Sequence, residues 1–250
     1  MPEQATLDRV LRRLSVRGSG RPVTEALTVT AKKLIVWGAT GQALVIEEFL
    51  AERGFEITAL LDREVARTSP FAAVPIFTGS RALENWLSTG PHGEVYFIVA
   101  IGGQHGDDRC SVAARLQAAG LRAATLVHPT AFVAESARVG AGSVVLAQAA
   151  VCARAELGEC VIVNTAASVD HECVLGPGVH IGPGARLAGY VSVGAGTFVA
   201  SGATIAPRVC VGGGSVIGAG AVVVRDVPSG VVAYGNPARI VRRRISSENA

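Results

Sequence analysis

The sequence is poor in aromatic residues and in charge, which make up 5% and 17% of its 250 positions. With 49% hydrophobic residues, such a chain folds rather than remaining disordered. Its core must be built from small and β-branched side chains. No stretch approaches the roughly 20 apolar residues that cross a bilayer, and the N-terminal segment lacks the apolar centre of a signal peptide. We therefore expect a cytoplasmic protein without a membrane span.

The cysteines and the distribution of charge argue against disulfide-bonded and nucleic-acid-binding proteins. The five cysteines are odd in number and contain no C-x-x-C pair, which indicates buried thiols in a reducing compartment. The net charge of +3 comes from the ends, because residues 1–33 carry +4 and residues 239–250 carry +3, which leaves −4 between them. A slightly acidic body does not present the basic face that phosphates require, so we expect no nucleic-acid partner.

A repeat of six residues dominates the second half of the chain. Every sixth position is aliphatic in the series Val133, Val139, Val145, Val151, Leu157, Val163, Val169, Leu175, Ile181, Leu187, Val193, Val199, Ile205, Val211, Ile217 and Val223. A period of six fits neither an α-helix nor a lone strand. It predicts a short strand and a tight turn repeated many times, which is a β-solenoid.

The residues before the repeat alternate between strand and helix patterns. Apolar runs predict strands over 33–37, 57–61, 95–101 and near 123–127, and helices that end near Arg53 and span 106–119. Such alternation predicts a parallel sheet that binds ligands at the carboxyl ends of its strands. Further upstream, apolar residues follow one another at helical spacing at Leu7, Val10, Leu11 and Leu14. This segment is expected to form either a short docking helix or a flexible extension.

The turn after the first strand is a candidate phosphate loop. Gly38 and Gly41 would let backbone N–H groups approach an anion at a helix start, and Asp62 could accept hydrogen bonds from a ribose or a base. The alternative is a structural turn with a capping aspartate. Residues 33–128 are only enough for one mononucleotide-binding half of a doubly wound fold. A nucleotide sugar therefore fits this part of the chain better than a dinucleotide.

Polar residues interrupt the solenoid at Asp170, His171 and Glu172. Histidine beside a carboxylate is the arrangement of a general base, although a solenoid histidine can also be an exposed turn residue. His180 follows nine residues later, half of an 18-residue coil, so the two histidines should lie on different sides. We therefore expect a neighbouring subunit to complete each site. Two histidines supply a zinc site poorly, so we expect no metal.

The hexads, the segment 169–176 (VDHECVLG) and the segment 230–239 (GVVAYGNPAR) resemble the hexapeptide-repeat sugar acyltransferases, a family that contains nucleotide-4-aminosugar N-acetyltransferases and sialic acid O-acetyltransferases. The resemblance implies an α/β, Rossmann-like N-terminal domain followed by a left-handed parallel β-helix in a homotrimer. It divides the chain into an extension (1–31), a nucleotide-sugar-binding domain (32–128), an acyltransferase β-helix (129–240) and a tail (241–250).

The resemblance also assigns roles to individual residues. It implies that His171 is the proton acceptor and that Glu172 raises its basicity. The residues that it implies for acetyl-CoA are His180, Gly189, Ser201 and Ala219. Those that it implies for the sugar nucleotide are Thr40, Gly41, Gln42, Asp62, Arg63 and Gly102. Gln42 and the stretch 102–105 depart from the usual family pattern on the sugar-nucleotide side.

The expected activity is acetyl transfer from acetyl-CoA to an amino group of a nucleotide-linked 4-amino-4,6-dideoxy sugar, without a metal. Cys173 falls at an inward position of its hexad, so a covalent acetyl-enzyme is not expected, and the amine should attack the thioester directly. One alternative is O-acetylation of a sugar of the sialic acid type. The other is a trimeric scaffold that binds sugar nucleotides without catalysis.

Overall fold

The computed structural model describes residues 31–244. The predicted N-terminal extension, apart from Ala31, and the end of the predicted tail lie outside these residues. Within residues 31–244 no helix is long and apolar enough to cross a membrane.

The first part of the described chain is a five-stranded parallel sheet with helices on both faces. Its strands run in the order β3-β2-β1-β4-β5. The strands are β1 (Lys32–Trp37), β2 (Phe55–Asp62), β3 (Ile76–Thr78), β4 (Tyr96–Val99) and β5 (Arg122–Ala123). The helices are α1 (Gly41–Leu50), which continues as a 3-10 turn over Ala51–Arg53, α2 (Ala82–Leu87) and α3 (Gly106–Ala118).

Side chains on the two faces of the parallel sheet pack into two separate hydrophobic cores. Ile35 and its neighbours on the same face pack with α2 and α3, whereas Leu34 and its neighbours pack with α1. The second core also contains Leu126 and Val144, which belong to the solenoid. The α1 face of the sheet is therefore continuous with the solenoid through one hydrophobic core.

The solenoid consists of two-residue strands on three faces, and each strand pairs in parallel with the strand one coil of 18 residues further on. The strands are β6 (Leu126–Val127), β7 (Phe132–Val133), β8 (Arg138–Val139), β9 (Val144–Val145), β10 (Ala150–Val151), β11 (Glu156–Leu157), β12 (Ile162–Val163), β13 (Ser168–Val169), β14 (Val174–Leu175), β15 (His180–Ile181), β16 (Arg186–Leu187), β17 (Ser192–Val193), β18 (Phe198–Val199), β19 (Thr204–Ile205), β20 (Cys210–Val211), β21 (Val216–Ile217) and β22 (Val222–Val223).

The hexad prediction is confirmed throughout. Each aliphatic of the series from Val133 to Val223 is the second residue of a strand from β7 to β22, and all except Val133 and Val139 are buried. Small residues fill the rest of the interior, as the scarcity of aromatics requires. The chain closes with β23 (Val231–Gly235), parallel to β21, and β24 (Ala238–Arg243), antiparallel to β23.

The structure differs from the sequence prediction at the junction. The single strand predicted near 123–127 is two strands in different sheets, because β5 ends the parallel sheet and β6 pairs with β9 of the solenoid. The first solenoid strand therefore lies before residue 129, one hexad earlier than Val133. The strand predicted over 95–101 ends at Val99, and β3 and α2 were missed because residues 63–94 carry no clear apolar period.

Candidate active site

His171 lies at the corner of the solenoid between β13 and β14. Its side chain is half exposed, and its ring packs edge-on against Tyr190 with centroids 5.2 Å apart. A Cβ at Gly189 would lie 2.5 Å from Nε2 of His171, so only glycine at position 189 admits the imidazole in this orientation. The Nε2 atom of His171 therefore faces the backbone of the next coil.

The other ring nitrogen of His171 faces a carboxylate. Nδ1 lies 3.6 Å from Oε2 of Glu172, while Oε1 of Glu172 lies 3.3 Å from Nη1 of Arg154. The Tyr190 hydroxyl, then the Arg154 guanidinium and then His171 hold the pKa of the Glu172 carboxyl below its usual value. Glu172 thus stays ionised and favours the tautomer of His171 with its proton on Nδ1, which leaves Nε2 free to accept a proton.

Cys173 does not take part in this arrangement as a nucleophile. Its side chain is buried inside the solenoid, and its Sγ donates to the carbonyl of Ala188 at 3.2 Å. Burial raises the pKa of the thiol to about 11, so it remains protonated at neutral pH.

His180 lies on a different face of the solenoid and is buried. It belongs to β15, with Nδ1 3.3 Å from the carbonyl oxygen of Gly103 and Nε2 3.2 Å from Nδ2 of Asn164. A Cβ at Gly102 would approach both the His180 ring and the amide of Gln42, whose Nε2 is buried without a hydrogen-bond partner among residues 31–244. Within one chain His180 thus contacts the loop after β4, which the family resemblance assigns to the sugar nucleotide.

Burial of His180 has a consequence for stability at acidic pH. Desolvation, with a contribution from the nearby Arg109 charge, lowers the pKa of His180 from its ordinary 6.5 to about 4. The unfolded chain therefore binds a proton that the folded chain rejects as pH falls from 6.5 towards 4, and folding should lose up to about 3 kcal/mol in that window. Urea unfolding of the wild type and of His180→Gln at pH 7.5 and 4.5 measures this, and the variant should lose less stability. Parallel losses in the two proteins would contradict the assignment.

A cavity of about 520 Å³ opens at the carboxyl ends of the parallel strands. The strand order reverses between β1 and β4, and this switch point is where open parallel sheets bind ligands. The residues that line the cavity include Trp37, Asp62, Arg63, Arg67, Ile101 and His105. Of the residues predicted for the sugar nucleotide, Asp62 and Arg63 line this cavity.

Asp62 fixes the shape of the glycine turn. Its two carboxylate oxygens accept hydrogen bonds from the backbone N–H groups of Ala39 and Glu64, both at 2.9 Å. Gly38 has a φ of 102°, and a Cβ there would lie 2.9 Å from the Ala100 carbonyl oxygen, so the turn requires glycine. Asp62 therefore supports the turn and also borders the cavity, and its contact with a ribose or a base stays a prediction.

The remaining predicted residues fall into separate groups. Thr40 and Gly41 are exposed at the start of α1, and Gln42 and Gly102 lie beside His180. Gly189 meets His171, whereas Ser201 and Ala219 are exposed one coil apart at another corner. The structure therefore does not gather the predicted acetyl-CoA residues within a single chain. Within residues 31–244 no group of three His, Cys, Asp or Glu side chains is placed to hold a metal ion.

Sequence reasoning missed Arg109, which joins the two parts of the chain. This arginine of α3 is 1% exposed, and its guanidinium donates to the carbonyls of Ile101, Cys160 and Gly178 at 2.6–2.7 Å. Ile101 belongs to the loop after β4, while Cys160 and Gly178 belong to the solenoid. Arg109 therefore holds the rim of the cavity against the solenoid beside His180.

Solved structures with the same fold place the chain among known enzymes. The PerB protein from Caulobacter crescentus, in complex with CoA and GDP-perosamine, is 35% identical with a TM-score of 0.76, and the alignment covers 84% of this chain and 97% of PerB. The acetyltransferase domain of PglB from Neisseria gonorrhoeae FA1090 is 36% identical with a TM-score of 0.75, covering 84% of this chain and all of that domain.

A third structure, WeeI from Acinetobacter baumannii AYE, is 24% identical with a TM-score of 0.64 and shares the fold. No protein-family model and no curated protein sequence matched the chain. The solved relatives are left-handed β-helix enzymes, as the family resemblance implied, and the identity to PerB and PglB extends over both the parallel sheet and the solenoid. This chain therefore belongs to the hexapeptide-repeat family of nucleotide-aminosugar N-acetyltransferases.

Proposed function

We propose that this protein transfers an acetyl group from acetyl-CoA to the amino group of a nucleotide-linked 4-amino-4,6-dideoxy sugar, with His171 as general base. The observation that carries the proposal is the setting of His171, with Nδ1 towards the ionised Glu172 and Nε2 towards the backbone at Gly189. Two relatives support the substrate class, because PerB was solved with CoA and GDP-perosamine and the PglB domain with acetyl coenzyme A.

In the proposed reaction the amine attacks the thioester carbonyl and forms the C–N bond while Nε2 of His171 takes its proton. Collapse of the tetrahedral intermediate then breaks the C–S bond, and the imidazolium returns the proton to the departing CoA thiolate. Glu172 stabilises the imidazolium that forms, and backbone N–H groups of the solenoid would hold the oxyanion. A buried, protonated Cys173 favours direct transfer over an acetyl-enzyme. The cavity beside Asp62 and Arg63 would hold the nucleotide.

We propose further that the active site forms between subunits of a homotrimer in the cytoplasm. The His171 corner, the Ser201 and Ala219 corner and the buried His180 lie on different sides of one solenoid. A single acetyl-CoA molecule could reach residues of two corners if a second subunit packed beside the first. Sedimentation analysis should then give a trimer.

The two alternative functions, sugar O-acetylation and non-catalytic binding, would require different residues at this site. A sugar O-acetyltransferase of the sialic acid type could use the same base, but a relative at 35% identity, a GDP-perosamine N-acetyltransferase from Caulobacter crescentus, favours an amine acceptor. A scaffold without catalysis would have no need for a histidine held between a carboxylate and a glycine. We therefore retain the N-acetyltransferase.

The acceptor can be identified by measuring thiol release from acetyl-CoA. The panel contains UDP-, GDP- and dTDP-linked 4-amino-4,6-dideoxy sugars and sialic acid, and a reaction without acceptor serves as the blank. We expect release with one nucleotide-linked amino sugar. Release with sialic acid alone would instead establish the O-acetyltransferase, and CoA binding with no release on any acceptor would contradict the proposed substrate class.

Asp62 provides a test of the nucleotide site. Replacing Asp62 with alanine removes both acceptors of the Ala39 and Glu64 amides, so the glycine turn should lose its shape. We expect KM for the nucleotide sugar to rise about tenfold or more, with KM for acetyl-CoA within about twofold of wild type. Glu56→Gln, an exposed carboxylate change in the same strand, is the matched control. An equal rise of both KM values in Asp62→Ala would contradict a nucleotide-specific role.

A further inference from the structure

The cavity at the carboxyl ends of the parallel strands lies between two loops. The loop after β2 contributes Glu64 and Arg67 to its lining, and the loop after β4 with the start of α3 contributes His105 and Asp108. In sheets of this kind the phosphates of a nucleotide lie at the glycine turn after the first strand. The ribose lies at the acidic residue that ends the second strand, here Asp62. The space between the two loops is therefore the place for the base.

Arg67 is held in this lining without being satisfied by the protein. Its Nε lies 3.7 Å from Oδ2 of Asp62, which is within the range of an ion pair but too long for a hydrogen bond. The Nε atom is buried and has no hydrogen-bond partner in the part of the chain from Ala31 to Arg244. The side chain borders the cavity, and 39% of its surface is exposed. The guanidinium therefore retains donors for a ligand.

The loop that carries Arg67 is anchored to the same carboxylate. The backbone N–H of Glu64 donates to Oδ1 of Asp62 at 2.9 Å, and the backbone N–H of Arg67 donates to the carbonyl of Glu64 at 3.1 Å. Oδ2 of Asp62 accepts from the Ala39 amide in the glycine turn. One carboxylate thus links the glycine turn, the loop and the Arg67 guanidinium, which gives the donors of Arg67 a defined place relative to a nucleotide.

The chemistry of a guanidinium favours one base over the others. It is a planar fork of N–H donors, which two acceptors lying side by side satisfy best. Guanine offers such a pair at O6 and N7, whereas adenine offers N7 beside an amino donor, and uracil or thymine offers O4 without a neighbouring acceptor. The carboxylates of Glu64 and Asp108 line the same cavity and suit the N1–H and N2 amino donors of guanine. Guanine therefore matches this lining best.

We propose that Arg67 determines specificity at the nucleotide site by donating to O6 and N7 of a guanine, which makes the nucleotide of the acceptor sugar a GDP. This inference rests on the proposed function and names the base at that site. Arginine also binds phosphate, but a phosphate contact would serve every nucleotide equally. Selectivity between bases therefore separates the two roles.

The first part of the test is nucleotide binding to the full chain, measured by calorimetry at one ionic strength with GDP, UDP, dTDP and ADP. We expect Kd for GDP to be about 10- to 100-fold lower than Kd for the other three, as a bidentate contact to guanine provides. 7-Deaza-GDP, which lacks the N7 acceptor, should bind about tenfold more weakly than GDP. Binding of UDP or dTDP as tight as that of GDP, or no binding of GDP at millimolar concentration, would overturn the inference.

Three variants connect this preference to Arg67. Arg67→Met removes the donors and should raise Kd for GDP about 10- to 100-fold, with Kd for UDP within about twofold of wild type. It should also bind GDP and 7-deaza-GDP alike, because the partner of N7 is gone. Arg67→Lys keeps the charge without the planar fork and should lose most of the preference for GDP. Arg53→Met, a change of an exposed arginine just before β2, is the matched control and should bind GDP as the wild type does.

The variants also show what would contradict this role. Equal weakening of GDP, UDP and dTDP by Arg67→Met, with recovery in Arg67→Lys, would place the side chain on the diphosphate instead. An intact preference for GDP in Arg67→Met would remove Arg67 from base recognition altogether.

The binding measurement is independent of acetyl transfer, so the two proposals fail separately. If GDP binds selectively through Arg67 but no GDP-linked amino sugar is acetylated, the proposed function fails while the guanine selectivity stands. If a UDP- or dTDP-linked amino sugar is acetylated in preference to the GDP-linked one, the proposed function stands and the inference fails.

Discussion

Replacing His171 with alanine is expected to lower kcat for acetyl transfer by about 10²- to 10⁴-fold, the range that a general base contributes. The imidazole is the group whose Nε2 faces Gly189 and whose Nδ1 faces Glu172, and alanine removes both. Because the His171 side chain is half exposed, its loss leaves the aliphatic core of the solenoid intact, and thermal unfolding should change little.

Two controls make this result specific. His92→Ala removes an imidazole that stacks on Trp86 in the parallel-sheet part of the chain, and its kcat should remain within about twofold of wild type. Binding of CoA to His171→Ala, measured by calorimetry, separates loss of the base from loss of the donor site. Near-normal turnover by His171→Ala would rule out the proposed base.

The second large effect concerns Arg109 and stability. Replacing Arg109 with methionine retains much of the apolar stem but leaves the carbonyls of Ile101, Cys160 and Gly178 without their donor in a buried place. Each unsatisfied buried acceptor costs about 1–3 kcal/mol, and Arg109→Met leaves three carbonyls without this donor. We expect a loss of about 3–5 kcal/mol in the free energy of unfolding.

Urea unfolding at one protein concentration measures this loss, with Arg53→Met as the exposed-arginine control. Arg109→Lys should fall between the two, since an ammonium cannot reach three carbonyls in the planar geometry of a guanidinium. Equal stability of Arg109→Met and Arg53→Met would show that the carbonyl contacts of Arg109 contribute nothing to the fold. The cavity rim at Ile101 should loosen in Arg109→Met, so KM for the nucleotide sugar should rise as well.

The sequence was sufficient to predict the solenoid because its physical basis is local. One aliphatic side chain every six residues, followed by a residue suited to a tight turn, determines a strand and a corner wherever it occurs. The positions from Val133 to Val223 could therefore be assigned one by one. The junction was less predictable, because Leu126 and Val127 continue the same apolar run as β5 and only their pairing partners separate the two sheets.

Burial at the junction could not be predicted, for a related reason. The hexad pattern is the same on all three faces, so it does not reveal that the parallel sheet covers the outer side of Val144 and His180. Arg109 follows Asp107 and Asp108, a pattern typical of an exposed helix start, although its side chain is buried. A different signal was present at the corner beside His171, since the long side chains of Arg154, Glu172, Tyr190 and Arg208 recur every 18 positions at turns that elsewhere favour glycine.

The proposed reaction delivers the acetyl group to an amino nitrogen of a nucleotide-linked sugar. The most direct measurement is to isolate the product formed with the accepted sugar from the panel and to treat it with alkaline hydroxylamine before mass spectrometry. An amide survives this treatment, whereas an ester is cleaved. We predict that the acetyl group is retained and that fragmentation places it on the amino sugar; release of the acetyl group by hydroxylamine would show O-acetylation and contradict the proposed reaction.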